Sequence, residues 1–249
     1  MGLLVEMMTS LKKKYCLLLT GTLAPENVPN LVRSEITLRE NDYVNSLQKW
    51  LTLGVPVVFV ENSAYPSERI NVLFANRADC EYLTFKSIVS FLGKSHGEAE
   101  IVTYAFAHSN LIKNSEVVVK VTGRLFVTNA LPILRAFDTA EGIAVMCWLK
   151  DTLAFADSRF FVGQTFFFEN YLLPELANID ESKGVFFEHV TARATYRCLA
   201  DGYKWRMFPR VPFFSGYSGT EGVRYRNDVF RRIKRTAVVQ LTNYLLKLT

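Results

Sequence analysis

Tyr15-Cys16-Leu17-Leu18-Leu19-Thr20, closed by Gly21, and Val55-Pro56-Val57-Val58-Phe59-Val60, closed by Glu61-Asn62-Ser63, decide the fold of this chain. Each is a short apolar run bounded by polar or turn-forming residues, the pattern of a buried strand. Between them, Pro25 and Pro29 mark a loop and Thr37-Leu38-Arg39-Glu40 fits a capping box. Tyr43, Leu47, Trp50 and Leu51 then recur at helical spacing up to Gly54. Strand, helix and strand within about fifty residues make a βαβ unit, which requires parallel strands.

Further along, Ser95-His96-Gly97-Glu98 fits a second capping box. It opens a helix with Ile101, Val102, Ala105, Phe106 and Ser109 on one face. The run Val117–Val127 follows, β-branched and apolar except for Lys120 and the Thr122-Gly123-Arg124 step. Burying an unpaired cation is costly, so Lys120 and Arg124 are expected at an edge or cleft where an anion can meet them. Gly123 permits another backbone or a ligand to approach closely. The plainer alternative is a strand end with two solvated or salt-bridged cations. Pro132 begins a helical piece, Ile143 to Leu149 reads as a strand, and Phe160 to Leu173 as strand then helix. A helix is expected from about Gly184 through Arg197, a loop from Trp205 to Gly222, and a last helix carrying Val229, Ile233, Ala237, Leu241, Tyr244 and Leu248. There is no repeat or clear linker. The expectation is one α/β domain over residues 1–249, with 1–13 a flexible N-terminus and 203–249 a basic loop and helix.

Almost half of the 249 residues are apolar, enough for a large core. No apolar run reaches the ~18–20 residues of a membrane span, and Glu6 interrupts the N-terminal apolar stretch. A cytoplasmic chain is expected. Cys16, Cys80, Cys147 and Cys198 are far apart, with no C-x-x-C pair, and read as reduced, buried thiols. His96, His108 and His189 follow no metal-ligand spacing. The net charge of +5 hides an asymmetry: the chain from Tyr203 onward carries ten Lys and Arg against Glu221 and Asp228. Such a segment suits an anionic partner, whether nucleotide phosphate, nucleic acid or a membrane surface.

Three strand ends, Thr20-Gly21-Thr22, Glu61-Asn62-Ser63 and Thr122-Gly123-Arg124, carry small or polar groups. Ligands of open α/β sheets bind beyond such ends. Converging there, these residues would offer hydroxyls, an amide, a carboxylate and a guanidinium to a sugar or nucleotide. The fingerprints G-x-G-x-x-G, G-x-x-x-x-G-K-[ST] and G-x-S-x-G are absent at the positions that would need them. That argues against dinucleotide oxidoreductases, P-loop kinases and α/β-hydrolases.

With these residues in view, the chain resembles the small bacterial capsule and lipopolysaccharide glycosyltransferases of GT-A-like (Rossmann-related) fold. The matching stretches are the Leu18-Leu19-Thr20-Gly21-Thr22 strand end, Arg33-Ser34-Glu35 with Arg39-Glu40-Asn41-Asp42-Tyr43, and Val58 to Ser63. Gly93-Lys94-Ser95-His96-Gly97-Glu98-Ala99, Lys120 to Arg124, Asp157 to Phe161 and Gly216 to Gly222 complete the set, which spans about residues 15–225. The resemblance implies a mostly parallel central sheet flanked by helices, and transfer of a sugar from a nucleotide-sugar donor to a glycan or lipid-linked glycan in surface polysaccharide synthesis. It places the nucleotide at Thr20, Gly21, Thr22, Glu61 and Asn62, with Lys94, Lys120, Thr122, Gly123 and Arg124 joining the donor site.

Such enzymes usually end a strand in an Asp-x-Asp pair that holds Mn²⁺ or Mg²⁺ on the diphosphate. Here Thr122-Gly123-Arg124 stands in that place, so the expectation is that cations replace the metal. Basic residues of the Lys204-to-Arg226 loop would add to them. Gly216, Gly219 and Gly222 would let that loop close over the donor. Asp157 is a fallback metal ligand. An inverting reaction needs a base, for which Glu188, Asp157 and Glu181 are candidates; the aromatic neighbours of Glu188 favour it. A retaining reaction stays open.

Arg231, Arg232, Lys234 and Arg235 flank the apolar stripe of the last helix. Peripheral contact with the inner face of a membrane and simple packing of the stripe on the core both fit. The competing function is nucleic-acid binding, with Tyr203, Trp205, Phe208, Tyr217 and Tyr225 as stacking platforms. No recognised nucleic-acid motif accompanies them, and nucleic acid is not the expected partner.

Overall fold

The computed structural model describes residues 11–26, 31–150, 152–219, 221–225 and 229–245. The expected βαβ unit is present as β1 (Tyr15–Gly21), α1 (Ile36–Leu51) and β2 (Val57–Glu61), with β1 and β2 parallel and Gly21 opposite Glu61. The unit repeats outward through α2 (Glu68–Phe74) to β3 (Cys80–Thr84). Then α3 (Lys94–His108) carries the chain back across the sheet to β4 (Val117–Thr122), on the other side of β1. Neither α2 nor β3 is expected from periodicity, because both are short and only part of each is buried.

Beyond β4, the expected long strand breaks at the Gly123 turn into β5 (Phe126–Val127). There follow α4 (Ala130–Asp138), β6 (Ile143–Met146), the small pair β7 (Leu149–Lys150) and β8 (Phe155–Ala156), and β9 (Phe160–Gln164). A helical stretch over 165–176, with a π-type turn at Phe168–Leu172, leads to α5 (Phe187–Ala200). The expected loop from Trp205 contains two short strands, β10 (Lys204–Arg206) and β11 (Phe214–Ser215), the latter paired with β5. Helix α6 (Val229–Leu245) follows. The main sheet has the order β10-β6-β9-β4-β1-β2-β3 and is parallel except for β9, which runs against both neighbours.

Strand alternation divides the core in two. Leu17, Leu19, Val57, Phe59, Val117, Val119 and Val121 face α1, α2 and α4; Cys16, Leu18, Val58, Val60 and Val118 face α3, α5 and the 165–176 stretch. The four cysteines are free and buried, as expected.

Both capping boxes are replaced. Glu35 caps α1, accepting from Thr37 N at 2.8 Å and Leu38 N at 2.9 Å. Gly93 precedes α3 without a side-chain cap, which leaves Glu98 free to turn inward. The flexible arm expected over 1–13 is only partly testable: residues 1–10 lie outside the described residues, whereas Lys12 N and Lys13 N are bonded to the Asp138 carboxylate at 2.8 and 3.0 Å. Among the described residues, no helix is long and apolar enough to cross a membrane.

Candidate active site

The strand order reverses between β1 and β4, and a cavity of about 380 Å³ opens at the carboxyl ends of the strands there. This is where open α/β sheets bind ligands, and the volume is in the range of small-molecule sites. All three expected strand ends contribute to its wall: Thr20, Gly21 and Thr22 from β1, Asn62 after β2, Thr122 and Arg124 after β4. Thr22 Oγ1 donates to Asn62 Oδ1 at 2.6 Å, fixing the first two ends together. Gly123 lies behind the wall. Its N–H donates to Thr20 O at 2.8 Å, and a Cβ there would stand 2.7 Å from that oxygen. The close backbone approach expected of Gly123 therefore joins β1 to β4.

One side of the cavity is cationic. Arg124 donates from Nε to Tyr217 O at 3.2 Å, and Gly219 packs against its guanidinium. Arg39 is buried and donates to Thr22 O, Arg33 O and Tyr43 OH, all neutral acceptors. Burial lowers the affinity of Lys94 for its proton, and the charges of Arg124 and Arg39 lower it further against the pull of Glu181. Burial and Arg124 likewise disfavour the charge on Arg39, with Tyr43 and Asp42 opposing. Three cationic side chains thus line one space, and Arg124 disfavours the charge on the other two. Arg39 entered the sequence reading inside an expected capping box and a matching stretch, with no site role of its own. Arg39 shares the buried face of α1 with Asp42, Tyr43, Leu47 and Trp50.

The other side is acidic. Glu188 lines the cavity and accepts from Ser158 Oγ at 2.7 Å. Burial and then the charge of Glu98 raise its pKa above the usual carboxylate range, with Ser158 and Lys120 opposing. Glu98 itself accepts from Thr20 Oγ1 at 3.1 Å and from Lys120 Nζ. Sequence reading took Glu98 for half of a capping box. The buried cation at 120 was the clue that an acid had to face it.

Several expected residues stand elsewhere. Lys120 does not emerge at a cleft: β4 is an interior strand, and the ammonium is fully buried between Glu98, Ser158 O (2.6 Å) and the Phe187 ring (5.3 Å to its centre). Glu61 is enclosed, accepting from Leu23 N (2.8 Å), Ser63 N (2.9 Å), Ser63 Oγ and Tyr65 N (3.3 Å), so it organises loops instead of facing the cavity. Asp157 is outside the wall, gripped by Arg159 Nε at 2.8 Å and Lys150 Nζ at 3.0 Å. Burial opposes its charge, but these two cations hold its carboxyl far below the usual range. Arg159, which Asp157 orients, reaches the cavity instead. Glu181 lines the wall, with its carboxylate accepting from Ser95 N at 2.5 Å at the start of α3. Of the expected glycine-rich loop, Ser218, Gly219 and Tyr225 form part of the wall, while Lys204 and Arg206 lie on the far sheet edge in β10 and do not line it.

The residues at the end of β4 do not fit a divalent cation. A hydroxyl, a glycine and a guanidinium stand there, and among the described residues no three His, Cys, Asp or Glu side chains are grouped to hold a metal. The aromatic platforms of the nucleic-acid reading are engaged in packing: Phe208 is buried, Trp205 Nε1 donates to Cys147 O at 3.1 Å, Tyr203 packs on Phe166, Tyr225 on Phe214, and Tyr217 lies under Arg33.

In structure, this α/β architecture is similar to transferases. The inositol-1-phosphate CTP transferase of T. maritima is 11% identical, with a TM-score of 0.51 over 90% of this chain and 96% of that one. Lower scores relate it to the glycosyltransferase GlyE of Streptococcus pneumoniae (0.46, 10% identity, 79% of this chain and 45% of that one) and to the Mn/GDP form of core-mannan synthase A from Aspergillus fumigatus (0.43, 13%, 90% and 86%). At these identities the likeness speaks for the fold. No protein-family model matches the chain. No curated protein matches it either.

Proposed function

We propose that this chain is a glycosyltransferase that moves a sugar from a nucleotide-sugar donor to a glycan or lipid-linked glycan acceptor, in the cytoplasm and in the service of surface polysaccharide synthesis. The observation that carries the reading is the division of one cavity into a cationic wall (Arg39, Lys94, Arg124) and a carboxylate, Glu188, with an elevated pKa. The sugar and the nucleoside would rest on Thr20, Thr22, Asn62 and Thr122, and the diphosphate on the cations. As the acceptor oxygen bonds to the anomeric carbon, its proton passes to Glu188 and the sugar–phosphate bond breaks. The electron pair leaves with the nucleoside diphosphate, whose growing charge Arg124 and its neighbours stabilise. With Glu188 as base the displacement inverts the anomeric centre. The cations do the work of a metal, so no divalent ion is required.

Nucleotidyl transfer is the second reading, because the T. maritima protein of similar fold is a CTP transferase. The two separate by product. Incubation with a panel of UDP-, GDP-, CMP- and dTDP-sugars is expected to release nucleotide and free or transferred sugar. Pyrophosphate release from CTP and a sugar phosphate, with no turnover of any nucleotide sugar, would assign nucleotidyl transfer instead.

A further inference from the structure

Helix α6 presents the wrong side to the protein. At about 100° per residue, Ile233, Tyr244, Ala237, Leu241, Leu245 and Val238 fall within a single arc of about 140°, in which Lys234 is the one charged position. All six are exposed, Ile233 by 61%, Leu241 by 60% and Tyr244 by 60%. The opposite side makes the contacts: Val239 is buried, and Asn243 Nδ2 donates to Phe208 O at 2.9 Å. Of the expected stripe, Leu248 and the side chain of Val229 lie outside what is described. The described part does not pack on the core, which corrects the plainer of the two sequence expectations.

Water is a poor environment for six apolar side chains exposed on one side of a helix. Charge selects its occupant. The same helix contains Arg231, Arg232, Lys234 and Arg235 in sequence, and the chain from Tyr203 onward has ten basic residues against two acids. A second copy meeting this face about a two-fold axis would bring the two basic helices together and oppose like charges. Nucleic acid would satisfy the cations and leave the apolar arc in water. A surface that is apolar below and anionic above satisfies both.

We propose that α6 lies in the plane of an anionic lipid surface, its apolar side chains in the acyl boundary and, by helical spacing, Arg231 and Arg235 beside the arc and Lys234 within it reaching to phosphate headgroups. The helix is an attachment device separate from the cavity. The test is sedimentation of the full chain with vesicles of phosphatidylcholine alone, or with roughly a third phosphatidylglycerol. The chain should pellet with the anionic vesicles, remain in solution with the neutral ones, and be released by salt. Ile233→Asp and Leu241→Asp, both at exposed positions, should each cut the bound fraction roughly tenfold without changing the melting temperature. Failure to pellet with anionic vesicles would overturn the proposal, as would undiminished binding by both variants. Velocity sedimentation showing a dimer that Leu241→Asp dissociates would assign the face to a second copy.

Discussion

Glu188 is asked to be charged in a place that disfavours charge. Burial and Glu98 both raise its pKa, so its ionisation at neutral pH costs folding free energy. For a carboxylate raised in the folded state, the favourable contribution is present below the unfolded pKa and is lost as pH rises through the folded value. Glu188→Gln should therefore melt higher than the parent at pH 7, and the gap should close as the pH falls toward about 4, the ordinary glutamate range. The same variant should lose on the order of 10²–10⁴-fold in kcat. The parent's kcat should rise with pH through a value above that of an exposed glutamate. A melting temperature unchanged at both pH values would remove the buried, strained carboxylate from the account. Asp157 has the opposite sign. Its carboxyl is held low by Arg159 and Lys150, so its contribution is full above about pH 4 and fades as the pH falls toward the lowered value. Asp157→Asn should cost about 3 kcal/mol of stability at pH 7, read by denaturant unfolding, because two cations lose their partner.

Among the elements, the junction of β1 and β4 places the site. Gly123→Ala would force a methyl to within 2.7 Å of Thr20 O, a backbone atom that cannot swing aside. The strands must part at the very ends that line the cavity. A loss of about 1–3 kcal/mol in stability is expected, together with weaker nucleotide binding; full retention of both would show that the junction has slack. This junction was legible in the sequence, because a glycine amid β-branched residues has few other uses. The strands β1, β2 and β4 and the helices α1 and α3 were legible for a related reason: each buries a mostly apolar face. What was hidden follows from long-range pairing. That β4 is interior, and Lys120 consequently buried, depends on β9 returning antiparallel from some forty residues downstream. Glu98 looked like a cap because the local spacing permitted one, and the buried ammonium across the sheet won it instead. The exposure of the α6 stripe could not be read from periodicity, which finds an apolar face without saying what covers it.

For the whole molecule, the charge is unevenly distributed along the chain. Acids and bases are nearly balanced over the body, yet the cavity gathers Arg39, Lys94 and Arg124 where the fold converges on β1 and β4. A second group of basic residues, Arg231, Arg232, Lys234 and Arg235, falls in the sequence of α6. Activity of the complete chain should thus survive EDTA, and a complete loss restored by Mn²⁺ or Mg²⁺ would place a metal where cations are proposed. The most direct measurement is calorimetric titration of nucleoside diphosphates and their sugars into the chain in EDTA, beside the Arg124→Ala variant. Saturable binding of one nucleotide family is expected, weakened roughly 10–100-fold by the substitution at an unchanged melting temperature. Heatless titrations with every nucleotide, or equal affinity in the two proteins, would contradict a cavity that grips an activated sugar by its phosphates.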